Sequence, residues 1–336
     1  MKTKVLNFTV ALLVVTIFST IGLAQRSRKA AAPARPENDL LAALPDSDAL
    51  ALVKVHQLIE GLPKILAENP AKLAEANNEI ENLKAKTGID LRAFDQLALG
   101  MHYSYPREGI TRIDTVGLAR GPFNTATFVA AGRTAANGKY REEKYHGNTI
   151  YIFTLDQQIK MFGLLNTVVH DLAVTVLQNN LLALGSPTAV RRAIDSGKAR
   201  HPGNAELIAL ASQDPNATIG FGGNVTPALL RNLKLDNEAI AKDVSAIREV
   251  FGTVGLTAKD CEMFLAVRTT DAESAKNLSD TLEGLRQLGA LFVGRLPAPK
   301  GSVARTALDN LKITTQANEL RIRTAVAQTQ LGSLMR

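Results

Sequence analysis

The sequence predicts an α+β fold of two related units packed as one body, and three observations predict it. Short apolar runs alternate with period two, longer stripes with helical spacing fall between them, and the order of elements recurs at a constant offset. Residues 40–44 read as a short helix, followed by Pro45-Asp46-Ser47-Asp48 and a strand over 49–55. Residues 207–212 read the same way, followed by Asp214-Pro215-Asn216 and a strand over 217–222, so that Ala49 stands opposite Ala217.

Each element follows in turn. Residues 57–67 and 71–85 form a helical arm bent at Asn69-Pro70, where the missing N–H interrupts the ladder. Leu73, Ala76, Ile80 and Leu83 keep helical spacing up to Gly88. Strands follow over 94–103 and 115–120, a short helix over 125–133, and a hairpin over 139–155 that turns at His146-Gly147-Asn148. A further hairpin over 172–185 bridges the units, and Ser186 caps a helix over 187–195.

In the second unit, helices over 227–233 and 237–249 precede strands over 250–258 and 261–269. A long helix over 272–292 sets Ala275, Leu278, Leu282, Leu285 and Leu288 on one stripe. The last hairpin runs from 311 to 327. Both units then read β-α-β-β-α-β, the split arrangement of ferredoxin-like folds. The boundaries are 39–200 for the first unit with its hairpin and 201–336 for the second.

Ahead of them, Lys2 and Lys4 precede an apolar run from Val5 to Leu23, and Gly22-Leu23-Ala24 places small residues for cleavage before Gln25. Residues 1–24 therefore read as an export signal and 25–38, rich in Ala, Pro and basic residues, as a disordered linker. The implied location is secreted or periplasmic. The rival reading is a retained anchor, since the run is long enough to span and Arg26, Arg28 and Lys29 lie just outside it. Only that reading brings the protein to a membrane.

The formal charge of +7 belongs mostly to this segment: setting aside Lys2, Lys4, Arg26, Arg28, Lys29 and Arg35 leaves +1. No basic face on the folded part is implied, and nucleic acid is not an expected partner. A single cysteine, Cys261, excludes an internal disulfide. The absence of tryptophan and 5% aromatic content argue against a sugar-binding platform.

The segment Leu44-Pro45-Asp46-Ser47-Asp48, the hairpin Gly147-Asn148-Thr149-Ile150-Tyr151 and the stretch from Ala183 to Ile194 resemble a loose group of secreted bacterial proteins of unknown function with repeated α/β units. The resemblance implies export and non-enzymatic behaviour, and it supplies no functional residues.

Chemistry-bearing motifs are sparse. Gly220-Phe221-Gly222-Gly223 follows a strand, but Val225 stands where a dinucleotide fingerprint needs its third glycine, and no Gly-Lys-Ser/Thr follows. Its glycines are expected to admit another backbone. Asp46 and Asp48 lack the remaining ligands of a calcium loop. His56, His102, His146, His170 and His201 show no metal-ligand spacing. No cofactor, metal or catalytic residue is assigned.

One surface does emerge. Alternation puts Cys261, Met263, Leu265 and Val267 on one face of their strand and Phe264 and Arg268 on the other, and it turns Arg321 and Arg323 away from the helices. In a ferredoxin-like sheet these four would share a face above Thr218, Gly220 and Gly222. Arg268, Arg321, Arg323 and Phe264 are thus the candidate binding residues, for an anionic ligand or an envelope protein. The alternative for that face is packing against the first unit, and the alternative for function is an exported hydrolase whose residues converge from separate strands. A pocket holding two or more of His102, Tyr103, His170 and Asp171 would mark the hydrolase.

Overall fold

A computed structural model describes residues 39–333 apart from 88, 108–109, 162–164, 179, 197–203, 233–237 and 298–299. The expected export signal (1–24), the linker (25–38) and His201 lie outside the described residues.

The chain begins with helix α1 (Asp39–Ala42) and strand β1 (Ala49–Lys54). The arm follows as α2 (Val55–Ile65) and α3 (Pro70–Thr87). Pro70 opens α3, where its missing N–H costs nothing, and the Asn69 side chain accepts from the Lys72 N–H. Strands β2 (Gln96–Arg107) and β3 (Ile110–Arg120), helix α4 (Thr125–Ala135) and the hairpin β4 (Tyr140–Tyr145) and β5 (Asn148–Met161) come next. His146 and Gly147 both take positive φ in that hairpin turn, as a two-residue connection requires. Strands β6 (Leu165–Gln178) and β7 (Leu181–Gly185) and helix α5 (Pro187–Ser196) complete this half.

The second half contains α6 (Ala205–Ala211), β8 (Ile219–Asn224), α7 (Pro227–Asn232), α8 (Glu238–Ser245), β9 (Ile247–Leu256) and β10 (Asp260–Thr269). The long helix α9 (Ala272–Val293) and α10 (Lys300–Asp309) precede β11 (Lys312–Gln316), β12 (Glu319–Ala327) and α11 (Gln328–Ser333).

All the strands join one 12-stranded sheet in the order β11-β12-β10-β9-β8-β1-β2-β3-β7-β6-β5-β4. This corrects the expectation of two ferredoxin-like units. A split β-α-β needs a connection that carries the chain to the opposite end of the sheet, so that the joined strands run parallel. Here the strands that the opening helices of each half join, β1 with β2 and β8 with β9, are instead adjacent and antiparallel. The arm leaves β1 at Lys54 and returns at Gln96, which is Lys54's own partner across the ladder. Two helical segments in series bring the chain back to the end it left, where a single helix would not. The α7–α8 pair does the same between β8 and β9, where Asn224 faces Glu249. The hairpin β6–β7 does not bridge two bodies either. It enters the sheet between β3 and β5.

The sheet runs without a break through both halves, because β1 pairs with β8 from Ala49↔Gly223 to Val53↔Ile219. Strand β1 is buried on both faces, as its unbroken apolar run predicts. Leu50 and Leu52 join Leu40, Leu41, Leu207, Val190 and Ala193 beneath α1, α5 and α6. Val53 packs on the opposite face with Val55, Leu58 and Ile219. Gly220 and Gly222 face α6: a Cβ on Gly220 would stand 1.9 Å from the Ala211 carbonyl oxygen. The glycines therefore let a helix backbone rest directly on the sheet.

No helix among the described residues is long and apolar enough to cross a membrane.

Candidate functional site

Strands β10 and β12 pair so that Phe264 faces Arg323, Ala266 faces Arg321 and Arg268 faces Glu319. Strand β11 adds Lys312 opposite Arg323 and Thr314 opposite Arg321. Alternation buries Cys261, Met263, Val267, Leu320, Ile322 and Val326 on the other face, where Leu278 of α9 and Val303 of α10 cover them. The four predicted residues thus share one sheet face. Their floor differs from the expected one. Strand β12 borders β10 and β11, not the Gly220 strand, so the arginines lie over β10 and the Phe251 position of β9. Ala266 beneath them is fully buried. The arginine stems roof the sheet themselves, as long basic side chains can.

The three arginines are not equivalent. Arg268 reaches Glu206 of α6 at 3.0 Å, Glu249 of β9 in closer contact and Glu319 at 3.8 Å, and it lies 5.4 Å from the Phe251 ring centre. Burial raises the Glu249 carboxyl above its ordinary range, and the Arg268 charge opposes that rise. Arg268 therefore ties α6 to the sheet. Arg321 pairs with Glu319.

Arg323 makes no ion pair among the described residues. Its guanidinium stands 4.7 Å from the Phe264 ring centre, and its Nε is buried without a hydrogen-bond acceptor. Burial, followed by the Arg321 charge, lowers its pKa from the arginine value. It remains a cation, as arginines do in proteins. Phe251 meets Phe264 edge-on at 6.2 Å, so the shelf under Arg323 is aromatic. Chemically, the arrangement offers one poorly neutralised guanidinium on an aromatic base, with exposed Lys312 across the ladder.

The residues that would mark a hydrolase do not converge. His102 Nδ1 lies 3.0 Å from Asp48, and the same carboxylate oxygen accepts the Tyr103 backbone N–H at 2.7 Å. Burial, together with the charges of Asp48 and Tyr105, pushes the Tyr103 hydroxyl up to about 12. His170 and Asp171 belong to β6, which β3 and β7 separate from β2. Asp171 accepts from Thr154 and Arg141, and these bonds outweigh its burial to hold its carboxyl below the usual range.

A small apolar hollow elsewhere is lined by Phe128, Ala131, Gly132, Ala135, Phe153, Leu155 and Leu172, none of them titratable. Among the described residues no group of three or more His, Cys, Asp or Glu is placed to hold a metal. Cys261 is 1% exposed, and burial pushes its thiol up to about 12.

Sequence reasoning missed the carboxylates that neutralise Arg268. The sequence predicts a helix ending at Glu249, which belongs instead to β9, and Glu206 lies far off in sequence. The only available signal was Glu319, which alternation sets on the arginine face.

No protein-family model matches the chain, and no curated protein matches it. Among solved structures, crystal form III of TP0453 is similar at 10% identity and a TM-score of 0.43, covering 88% of this chain and 96% of that one. Crystal form IV of TP0453 is similar at 11% identity and a TM-score of 0.43, with the same coverage.

Proposed function

We propose that this is an exported, non-catalytic protein of the cell envelope that works by binding. The binding surface is the open face of β10, β12 and β11, centred on Arg323 and Phe264, and its partner presents a carboxylate or another anionic group. The export part of the reading rests on residues 1–24. The binding part rests on one observation: Arg323 keeps an unpartnered, buried Nε over an aromatic ring while its two neighbouring arginines are neutralised. A guanidinium so placed gains more from a bidentate anion than one already paired.

The test is capture from an envelope fraction by the chain lacking residues 1–24, which keeps every described residue. Arg323→Glu should lose the captured partner at unchanged melting temperature. Equal capture by parent and variant would remove Arg323 from the reading. The alternative, an exported hydrolase, has the Asp48–His102 pair in its favour, since an oriented imidazole is half of a general-base arrangement. A hydrolytic activity abolished by His102→Ala would carry that alternative instead.

A further inference from the structure

Helix α9 is apolar over more of its circumference than the core uses. Ala275, Leu278 and Val293 are buried, and Leu282 packs against the β10–β12–β11 face. Leu285, Leu288, Leu291 and Phe292 project elsewhere, with Leu291 72% and Phe292 57% exposed, and Leu296 just past the helix is 48% exposed. At 100° per residue, positions 285, 288, 291 and 292 fall in one sector of about 120° that borders the core-facing stripe and widens the apolar surface beyond it. These five account for all but one of the exposed large hydrophobics among the described residues. They form a single patch, not scattered single residues.

Between Glu283 and Asp309 every charge is basic: the sequence holds Arg286, Arg295, Lys300 and Arg305 and no Asp or Glu. Arg286 is tied to Glu283. Arg295, Lys300 and Arg305 are exposed and make no ion pair among the described residues, and Arg295 lies 5.3 Å from the Phe292 ring centre. A second copy docking through the same patch would bring two such cationic rims together. An anionic surface would not. Leucines and a phenylalanine flanked by unpaired basic residues are the chemistry that lays a helix into a lipid interface.

We propose that the C-terminal half of α9, with the turn to Leu296, docks the protein on an anionic lipid surface. Leu288, Leu291, Phe292 and Leu296 enter the headgroup boundary, while Arg295, Lys300 and Arg305 meet the lipid phosphates. This contact uses residues separate from the Arg323 face and does not depend on a retained leader.

The experiment is vesicle flotation of the chain lacking residues 1–24, with phosphatidylcholine alone and with phosphatidylcholine mixed with phosphatidylglycerol. The parent should float with the anionic vesicles and stay behind with the neutral ones. Leu288→Glu with Phe292→Glu should abolish flotation. Lys300→Glu and Arg305→Glu should each weaken it by about fivefold or more, and high salt should weaken the parent likewise. Unchanged far-ultraviolet circular dichroism and melting temperature would show the exposed substitutions leave the fold intact. A parent that never floats, or a Leu288→Glu, Phe292→Glu variant that floats like the parent, overturns the proposal. So does a concentration-dependent dimer that the same variant dissolves, since a second copy would then occupy the patch.

Discussion

The guanidinium carbon of Arg323 stands 4.7 Å from the centre of the Phe264 ring, across the ladder position where β10 and β12 set the two residues opposite each other. The contact keeps a cation at the sheet surface that makes no ion pair among the described residues. Replacing Arg323 with Met keeps the apolar stem and removes the charge. The Met variant should fold with a melting temperature equal to or above that of the parent, because a buried unpartnered Nε is a cost that it deletes. Differential scanning calorimetry checks this, and a clear loss of stability would show the cation to be structural.

Arg268 should behave in the opposite way. The sequence alone suggests that Arg268→Glu with Arg321→Glu leaves stability nearly unchanged, and the arrangement of carboxylates corrects that expectation. Arg268→Met strands Glu249, Glu206 and Glu319 beside one another. Urea unfolding should show a loss of about 1–2 kcal/mol. Arg268→Glu should lose more, since it adds a fourth carboxylate to the cluster.

Two glycines make a matched pair for testing how α6 meets the sheet. Gly220→Ala places its new methyl 1.9 Å from the Ala211 carbonyl oxygen, which is backbone and cannot turn aside. A destabilisation of about 3 kcal/mol or more is expected from such overpacking. Gly255→Ala, on β9, meets nothing within 4 Å and should be neutral or slightly stabilising. Equal melting temperatures for the two variants would mean that α6 does not rest on β8.

The Cys261 thiol, pushed up to about 12 by burial, should be inert in the folded protein at neutral pH. A chromogenic disulfide reagent should report no thiol until denaturant is added and one thiol afterwards. Rapid labelling of the native protein would contradict the packing beneath α10.

Acid should loosen the attachment of β4 to α5. Arg191 donates to both Glu143 oxygens, at 2.7 and 2.6 Å, and holds the Glu143 carboxyl below the ordinary carboxylate range. A lowered folded-state pKa stabilises above the unfolded value, and that contribution fades as pH falls through the folded one. Glu143→Gln should therefore cost up to about 1 kcal/mol at neutral pH. The gap to the parent should close as pH drops below 4.5, in melts recorded across that range.

The kinds of element were legible in the sequence because they are local. The alternation of Leu320, Ile322, Thr324 and Val326 set the buried face of β12 correctly, and the stripe of Ala275 and Leu278 identified α9. Strand neighbours were not legible, because alternation states which face a residue occupies and is silent on which strand lies beside it. The same limit shaped the candidate site. Phe264, Arg268, Arg321 and Arg323 were placed on one face by parity alone, whereas the saturation of Arg268 depends on Glu206 and Glu249 arriving from α6 and β9. Helix α10 escaped detection because its apolar pattern is faint, with Val303 its only large buried side chain.

The ladder between β1 and β8 bears on the order in which the molecule can assemble. Ala49 cannot meet Gly223 until most of the chain has been delivered, and until then β1 has only β2 beside it, with the residues destined for α6 absent from its roof. Pairings this distant in sequence close slowly. The central strand therefore stays paired on one edge alone until the segment carrying β8 has arrived, and the two halves of the sheet cannot be joined before then.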